Sequence, residues 1–466
     1  MRAALVALAA FGAWAQEREQ EIFGPQPAPK SEPSRLEQKA AEEPLKIGGQ
    51  LYLRSLVSAR QGQPPSEWTL SSPQIVDAYL DARPNDRVRG FLLGRMFWDP
   101  TVNAGQPGQF GIAQSGGPTV LLDQLWVAFD VARTVFVTAG RQHVKWGTGR
   151  FWSPTDWLHP LRRDPLTLFD SRTGTTMLRL HLPWEKRGWN FTAVALLEGA
   201  VQAGTQVDTT AIGAGTYANA DRIGKVAGAA RAELVLGTLE VGLDAIVRRG
   251  NAKGGVDFSA GIWELDVHGE VAIKTGSDVP LWQLAPGGTP GDLLFGYQAY
   301  QPTSLTPAAT LGLSWSYKYS DEDTVTLGAE YFYNANGYDD AKIYPFLLLQ
   351  QFTAGAAAFN PFYLGRHYTG AFLFIPRPGR WNDTTITLST LGNLSDRSFV
   401  SRLDWQVGLL TYLGLEIYGQ VHYGNREGEL RFGLDLPPFQ IGGETTPAIH
   451  LAPPAFALGV NLRLKI

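Results

Sequence analysis

The chain has 466 residues, of which 44% are hydrophobic and only 18% charged, with a formal net charge of -4, 52 glycines and no cysteine. The lack of thiols excludes a disulfide scaffold, a thiolate nucleophile and a thiolate-bound metal, and no basic block or recognition helix points to nucleic acid. A mean hydropathy of -0.12 is what a chain gives when apolar and polar strand faces cancel.

Arg2, the apolar run 3–11 and the small-x-small stretch Ala13-Trp14-Ala15 read as a secretory signal peptide, residues 1–15, cleaved before Gln16. Residues 16–46 interleave Pro25, Pro27, Pro29, Pro33 and Pro44 with Glu, Gln and Lys. Such a composition cannot bury enough apolar surface to order itself, so this stretch is expected to be a disordered periplasmic linker, with a short helix permitted around 35–43. Beyond Ala15 no run reaches the roughly 20 apolar residues that a spanning helix needs.

From residue 47 to 466 the pattern changes to period two. In 262–276, Leu265, Val267, Val271 and Ile273 fall on one face while Glu264, Asp266, His268, Glu270 and Lys274 fall on the other, because successive strand side chains point to opposite faces. Strands are predicted at 47–60, 74–82, 87–98, 119–131, 134–146, 174–183, 188–198, 224–236, 238–249, 255–261, 264–275, 307–318, 324–334, 366–375, 383–392, 397–410, 413–424 and 454–466. Short turns at 83–86, 132–133, 184–188, 237, 262–264, 319–324, 376–382 and 411–414 alternate with long loops at 61–72, 99–118, 147–173, 199–223, 250–255, 277–306, 335–366 and 425–453. The fold class expected is all-β: a transmembrane antiparallel β-barrel of about 16–18 strands, with short periplasmic turns and long extracellular loops. An even count returns the C-terminus to the side of the linker. Trp98, Trp146, Trp189, Trp315 and Tyr423, at strand ends, suit aromatic girdles at the membrane interfaces.

With lipid outside, charges must line the interior. The expected pore-lining and selectivity residues are Arg95, Arg141, His143, Lys145, Arg150, Arg179, Asp266, Glu270 and Glu330. Arg141, His143 and Lys145 are expected to share one face at the outer end of a strand that runs into a Gly- and Trp-rich loop. There Arg150 would complete a basic constriction and Trp152 and Trp157 would offer stacking platforms to sugars. The competing reading is a structural corner in which loop arginines pair with Asp156, Asp164 and Asp170. The apolar loop segment 343–359 suits a plug, a subunit contact, a rim helix or plain packing against neighbouring loops.

The stretch Gly140-Arg141-Gln142, followed by Trp146-Gly147, resembles bacterial outer-membrane channel families, the alginate-export-like and related uncharacterised porin-like barrels. The resemblance covers about 20 residues closely and implies a porin-like fold with a loop folding inward. The closing strand, with Phe456, Leu458, Val460, Leu462, Leu464 and Ile466 on one face, resembles the C-terminal signal that outer-membrane insertion machinery reads, with Ile466 in place of the usual terminal aromatic.

These readings converge on passive diffusion of small hydrophilic solutes, anionic or saccharide in kind, across the bacterial outer membrane. Expected partners are the bilayer and its lipids, the solutes, the barrel-assembly machinery and, as a candidate, further copies of this chain; no cofactor, metal or catalytic residue is expected. The rival classes are a membrane-embedded enzyme and a barrel that only displays adhesive loops. The seven histidines are dispersed, no H-E-x-x-H or G-x-S-x-G occurs, and about sixteen strands or more leave an aqueous lumen that a display barrel does not need.

Overall fold

The computed structural model describes residues 44–466, apart from 103–116, 160–162, 168–171, 198–219, 221, 249–250, 277–280, 294–295, 321–322, 355–358, 360, 437, 442–443 and 447. The stretch 1–15 expected to be a signal, most of the expected linker and the permitted helix at 35–43 lie outside the described residues.

The wall is built from β1 (Leu45–Arg60), β2 (Gln74–Asn85), β3 (Val88–Trp98), β4 (Thr119–Val131), β5 (Val135–Gln142), β6 (Thr175–Trp184), β7 (Trp189–Leu196), β8 (Ala227–Leu236) and β9 (Leu239–Arg248). It continues through β10 (Asn251–Ile262), β11 (Leu265–Thr275), β12 (Leu305–Lys318), β13 (Thr324–Asn334), β14 (His367–Pro376), β15 (Thr384–Asn393), β16 (Ser398–Leu410), β17 (Leu413–Gly424) and β18 (Pro454–Lys465). Each pairs antiparallel with its sequence neighbours, and β1 closes the ring by pairing with both β2 and β18: Gln50 lies opposite Asp77 on one side and Lys465 on the other. A short segment, Thr69–Ser71, continues the line of β2 against β1. Pro73, which has no N–H to give the ladder, separates the two. The sheet is thus a closed barrel of eighteen strands. Closure leaves no sheet edge and satisfies the wall's backbone groups internally.

Period-two alternation sorts the side chains as expected. Leu311 and Val460 stand on the outer surface with 58% and 47% of their area exposed, while Asp77, Arg95, Arg231, Glu270, Glu330 and Arg402 are turned inward and enclosed. No helix among the described residues is long and apolar enough to cross a membrane, which says nothing of strands. Tight turns fill one end of the barrel. Ala132 and Arg133 both have positive φ (55° and 54°), the mirror-image turn that matches strand twist. At the turn between β10 and β11, Trp263 (φ 57°) is 97% exposed.

Three expectations need correction. The connection expected at 250–255 is not a long loop: β10 begins at Asn251 and Lys253 pairs with Lys274. The strand expected at 134–146 stops at Gln142, because beyond the pair Gln142 and Thr175 the chain has no partner and turns into the lumen. Trp146, expected at a membrane interface, is instead enclosed inside the barrel. The opposite end carries the long connections, with two short exceptions, the one between β9 and β10 and the one at 394–397 between β15 and β16.

At that end a helix, α1 (Tyr344–Ala354), occupies the apolar loop segment. Tyr344, Phe346, Leu347 and Leu348 pack with Ile343, Phe359, Leu364 and Phe432. Of the readings open to this segment, the structure gives a rim helix packed under neighbouring loops.

Candidate functional site

The segment between β5 and β6 crosses the lumen. It docks on β11, β13 and β14, and β14 is nine strands from β5 around a ring of eighteen, the opposite wall. Two buried carboxylates hold it there. Glu330 of β13 accepts the main-chain N–H groups of Arg150 (2.8 Å), Phe151 (3.1 Å) and Trp152 (2.8 Å). Three successive N–H groups converging on one anion form a nest. Glu270 of β11 accepts Gly149 N (2.5 Å), Thr155 N (3.2 Å) and Thr155 Oγ1 (2.8 Å). The glycines are required for this approach. A Cβ on Gly147 (φ +87°) would lie 2.6 Å from Glu270 Oε1, and one on Gly149 would lie 2.0 Å from the carbonyl oxygen of Trp152.

Apolar packing completes the septum. Trp152, with 0% exposure, stacks on Phe332 (5.7 Å between ring centroids, 12° between planes), and its indole N–H donates to Phe362 O at 3.0 Å. Trp152, Phe151 and Leu166 share a cluster with Phe332, Tyr368, Phe372, Leu391 and Val400 on the inner face of β13–β16. On the other flank, Trp146 and Leu158 pack on Met177, Val194, Leu196, Ala227, Ala229 and Ile246 of β6–β9.

The structure redistributes the expected pore residues. Arg141, His143 and Lys145 do not share a face: Arg141 lies in register with outward-facing Leu125 and reaches Thr173 Oγ1 (3.2 Å), whereas His143 Nε2 meets Asp123 Oδ1 (2.9 Å) inside. Gly140, within β5, takes φ +125°, and the chain leaves the wall after Gln142. Lys145 Nζ reaches Gly149 O at 3.3 Å. Arg95 is enclosed between Asp77 (2.7 Å) and Asp123 (3.3 Å). Glu270 and Glu330, 1% and 3% exposed, hold the septum instead of facing water. Trp152 offers no face to a sugar. Trp157 is half-buried against the β6–β9 cluster, Arg179 is inward on β6 beside Thr138, and Asp266 is half-buried on β11 near the short-turn end.

Above the septum, toward the long loops, lies an open hollow of about 1040 Å³. Among the described lining residues, Lys145, Arg150, Arg163, Arg172, Lys253 and Lys274 face one carboxylate, Asp156, which is ion-paired to Arg172 at 3.1 Å. Trp157 and Tyr363 also line it. Arg150 extends over the Phe372 ring, 3.8 Å from its centroid. Asp156 thus plays the pairing role foreseen for a structural corner.

A second polar knot closes the rim. Asn393 donates to both Asp396 (2.8 Å) and Glu429 (2.7 Å), Tyr344 of α1 donates to Asp396 (3.1 Å), and Glu429 Oε1 accepts Tyr363 N and Leu364 N at 3.0 and 3.2 Å. Burial, together with the negative charge of Asp396, pushes the Glu429 carboxyl up to about 7. Among the described residues no group of three or more His, Cys, Asp or Glu is placed to hold a metal ion.

Sequence reasoning missed the latch partners Thr155 and Gly149, the aromatic dock Phe332, Tyr368 and Phe372, and the Asp396–Glu429 knot. One signal was available: the inner faces of β7, β13 and β15 carry Val194, Leu196, Phe332 and Leu391 where a water-filled lumen would ask for polar residues.

No protein-family model matches the sequence, and no curated protein matches it. Among solved structures, a triple mutant of Rh. blastica porin aligns with a TM-score of 0.40 and 9% identity, covering 91% of this chain and 100% of that one. A second triple mutant of the same Rhodopseudomonas blastica porin aligns with a TM-score of 0.39 and 10% identity over the same shares.

Proposed function

We propose that this chain is a porin-like channel of the bacterial outer membrane through which small hydrophilic solutes, anions above all, diffuse passively. The observation that carries the reading is the sorting of one closed wall. Leucine, valine and phenylalanine cover the outside, charges lie inside, and a segment latched across the lumen leaves a basic hollow at one mouth. An apolar outer belt matches a hydrocarbon environment, because a charge there costs several kcal/mol at mid-depth. An inward loop over a wide lumen sets a size limit, and clustered cations raise the local concentration of anions.

The saccharide reading rests on Trp157 and Tyr363, since Trp152 is enclosed; the anion reading rests on the six cationic side chains that, with Asp156, are the charged groups among the described lining residues. Export through residues 1–15, insertion through the C-terminal strand by the assembly machinery, and contact with outer-membrane lipids belong to the same proposal. Assembly with further copies is part of it only as a candidate.

Single-channel recording of the refolded protein in a planar bilayer tests it, with the reversal potential read under a salt gradient. Discrete open steps with anion-selective reversal are expected. A silent bilayer would overturn the channel reading and favour the enzyme or surface-display classes. Cation-selective steps would keep the channel and remove the anion preference.

A further inference from the structure

Several arginines of the wall are tied to carboxylates. Arg83 and Arg89 share Asp81 at 2.9 Å each, Arg95 meets Asp77 at 2.7 Å, Arg231 meets Asp257 at 2.6 Å and Arg402 meets Asp404 at 2.6 Å. A guanidinium engaged in this way directs its donors and its charge at a partner of the protein itself. Arg54 of β1 is different. It stands on the inner face with Gln50 and Tyr52, partly exposed, while Leu53 lies on the outer belt. Among the described residues no carboxylate pairs with it, and its buried Nε meets no acceptor. Glu416 of β17 and Asn461 of β18 stand in the same row of the ladder as Arg54. Both are already engaged: Glu416 accepts the Tyr52 hydroxyl at 2.7 Å and Arg402 at 3.2 Å, and the Asn461 amide donates to that same hydroxyl at 3.1 Å. The Arg54 guanidinium is left 5.5 Å from the centroid of the Tyr52 ring.

The septum brings a second such arginine to the same place. Arg163 donates from Nη2 to Thr167 O at 3.3 Å, its Nε meets no acceptor, and it lines the hollow above. Its neighbour Asp164 accepts Leu166 N at 2.9 Å. Arg402, Arg163 and Arg54 all lie near enough to Asp164 to favour its charged form, yet no ion pair joins it to any of them. With Arg402 held by Asp404 and Glu416, one carboxylate stands between two guanidinium groups that have no carboxylate partner of their own. A buried donor without an acceptor works against the fold. Stability of the wall therefore does not account for Arg54 or Arg163.

We infer that Arg54 and Arg163 form an oxyanion-binding point where the septum meets the β1 side of the wall, and that it takes the phosphate, sulfate or carboxylate group of a passing solute. A planar guanidinium presents paired N–H donors that match two oxygens of such a group, a match that a spherical halide does not offer. The point selects among anions by their shape as well as their charge. Its part in transport rests on the channel reading above; the binding itself does not.

The test is binding of inorganic phosphate to the full chain in detergent, read by broadening of the phosphorus NMR line, together with phosphate block of the chloride current in planar bilayers. The wild type should broaden the line, and sulfate should displace the phosphate where chloride at the same concentration does not. Arg54→Gln should bind roughly tenfold more weakly or worse, the change expected when a hydrogen bond to a charged group is lost. Arg54→Lys keeps the charge without the fork and should fall between the two. Arg83→Gln, at an arginine already engaged by Asp81, should bind as the wild type does. In the bilayer, phosphate should reduce the chloride current of the wild type and leave that of Arg54→Gln unchanged. Equal binding by the wild type and Arg54→Gln, or binding by neither, overturns the inference. If Arg54→Gln does not fold into the barrel, Arg163→Gln, which lies outside the ladder of the wall, carries the same expectation. Phosphate binding by a protein that is silent in the bilayer would leave the site standing and remove the channel reading; open channels without phosphate binding would do the reverse.

Discussion

The carboxylate of Glu330 accepts the main-chain N–H of Trp152 at 2.8 Å, although the two residues start from opposite walls of the barrel. The same carboxylate serves Arg150 and Phe151, and His268 Nε2 lies 3.1 Å from its Oε2. Removing it by Glu330→Ala leaves up to three buried N–H groups without an acceptor, at about 1–3 kcal/mol each. The septum should undock, and conducting channels should show a larger and noisier open level than the wild type. Glu330→Gln, which keeps one acceptor oxygen, should lie between the two. An unchanged open level in Glu330→Ala would mean that the septum does not limit the current.

Trp152 supplies the apolar half of the same dock. Trp152→Ala removes a fully enclosed indole from the faces of Phe332 and Tyr368, a change that costs about 3–5 kcal/mol in a packed core. The loss should fall on the septum and spare the wall, whose ladder does not depend on it. Hydrogen exchange of the segment 149–156 should accelerate strongly while that of β12 and β17 stays protected. Uniform acceleration would show that septum and wall unfold as one unit.

The wall was legible because a strand in this barrel obeys a local rule. Ranges such as 119–131, 324–334 and 413–424 follow directly from alternation bounded by turn residues. What alternation reports is the face, not what fills the space beyond it. Glu270 and Glu330 lie on the inner face, yet their partners Gly149 and Trp152 lie 121 and 178 residues away in sequence. No local pattern distinguishes a carboxylate that meets water from one that meets a peptide nest. The end of β5 was misplaced for a related reason: the residues 143–146 still look strand-like, and only the lack of a partner past Thr175 ends the strand.

The two faces of one strand give opposite responses to the same substitution. Leu311 and Ser314 are three residues apart on β12, the first on the outer belt and the second turned inward. Leu311→Arg would place a charge against hydrocarbon, at about 2–4 kcal/mol near mid-depth. It should lower the folded fraction after insertion into lipid vesicles, as read by heat-modified mobility on a gel. Ser314→Arg should insert normally. Equal tolerance at both positions would contradict the assignment of the outer surface to lipid.

The rim knot should respond to pH in a direction set by Glu429. Its carboxyl is held up to about 7 from an ordinary 4.5, chiefly by burial and then by Asp396, so the packed rim favours the neutral form. The stability contributed by that form is complete below about 4.5 and is lost as the pH rises through about 7. Above that point the ionised side chain faces Asp396 across the shared Asn393 amide. Main-chain exchange at Tyr363 and Leu364, whose N–H groups donate to Glu429, should therefore be slower at pH 5 than at pH 8 after correction for the intrinsic rate. Glu429→Gln keeps an acceptor oxygen and cannot ionise, so its corrected exchange should be flat across this range. A wild-type rim equally protected at both pH values would show that Glu429 does not titrate in the rim, and an unchanged slope in Glu429→Gln would assign the titration to another group.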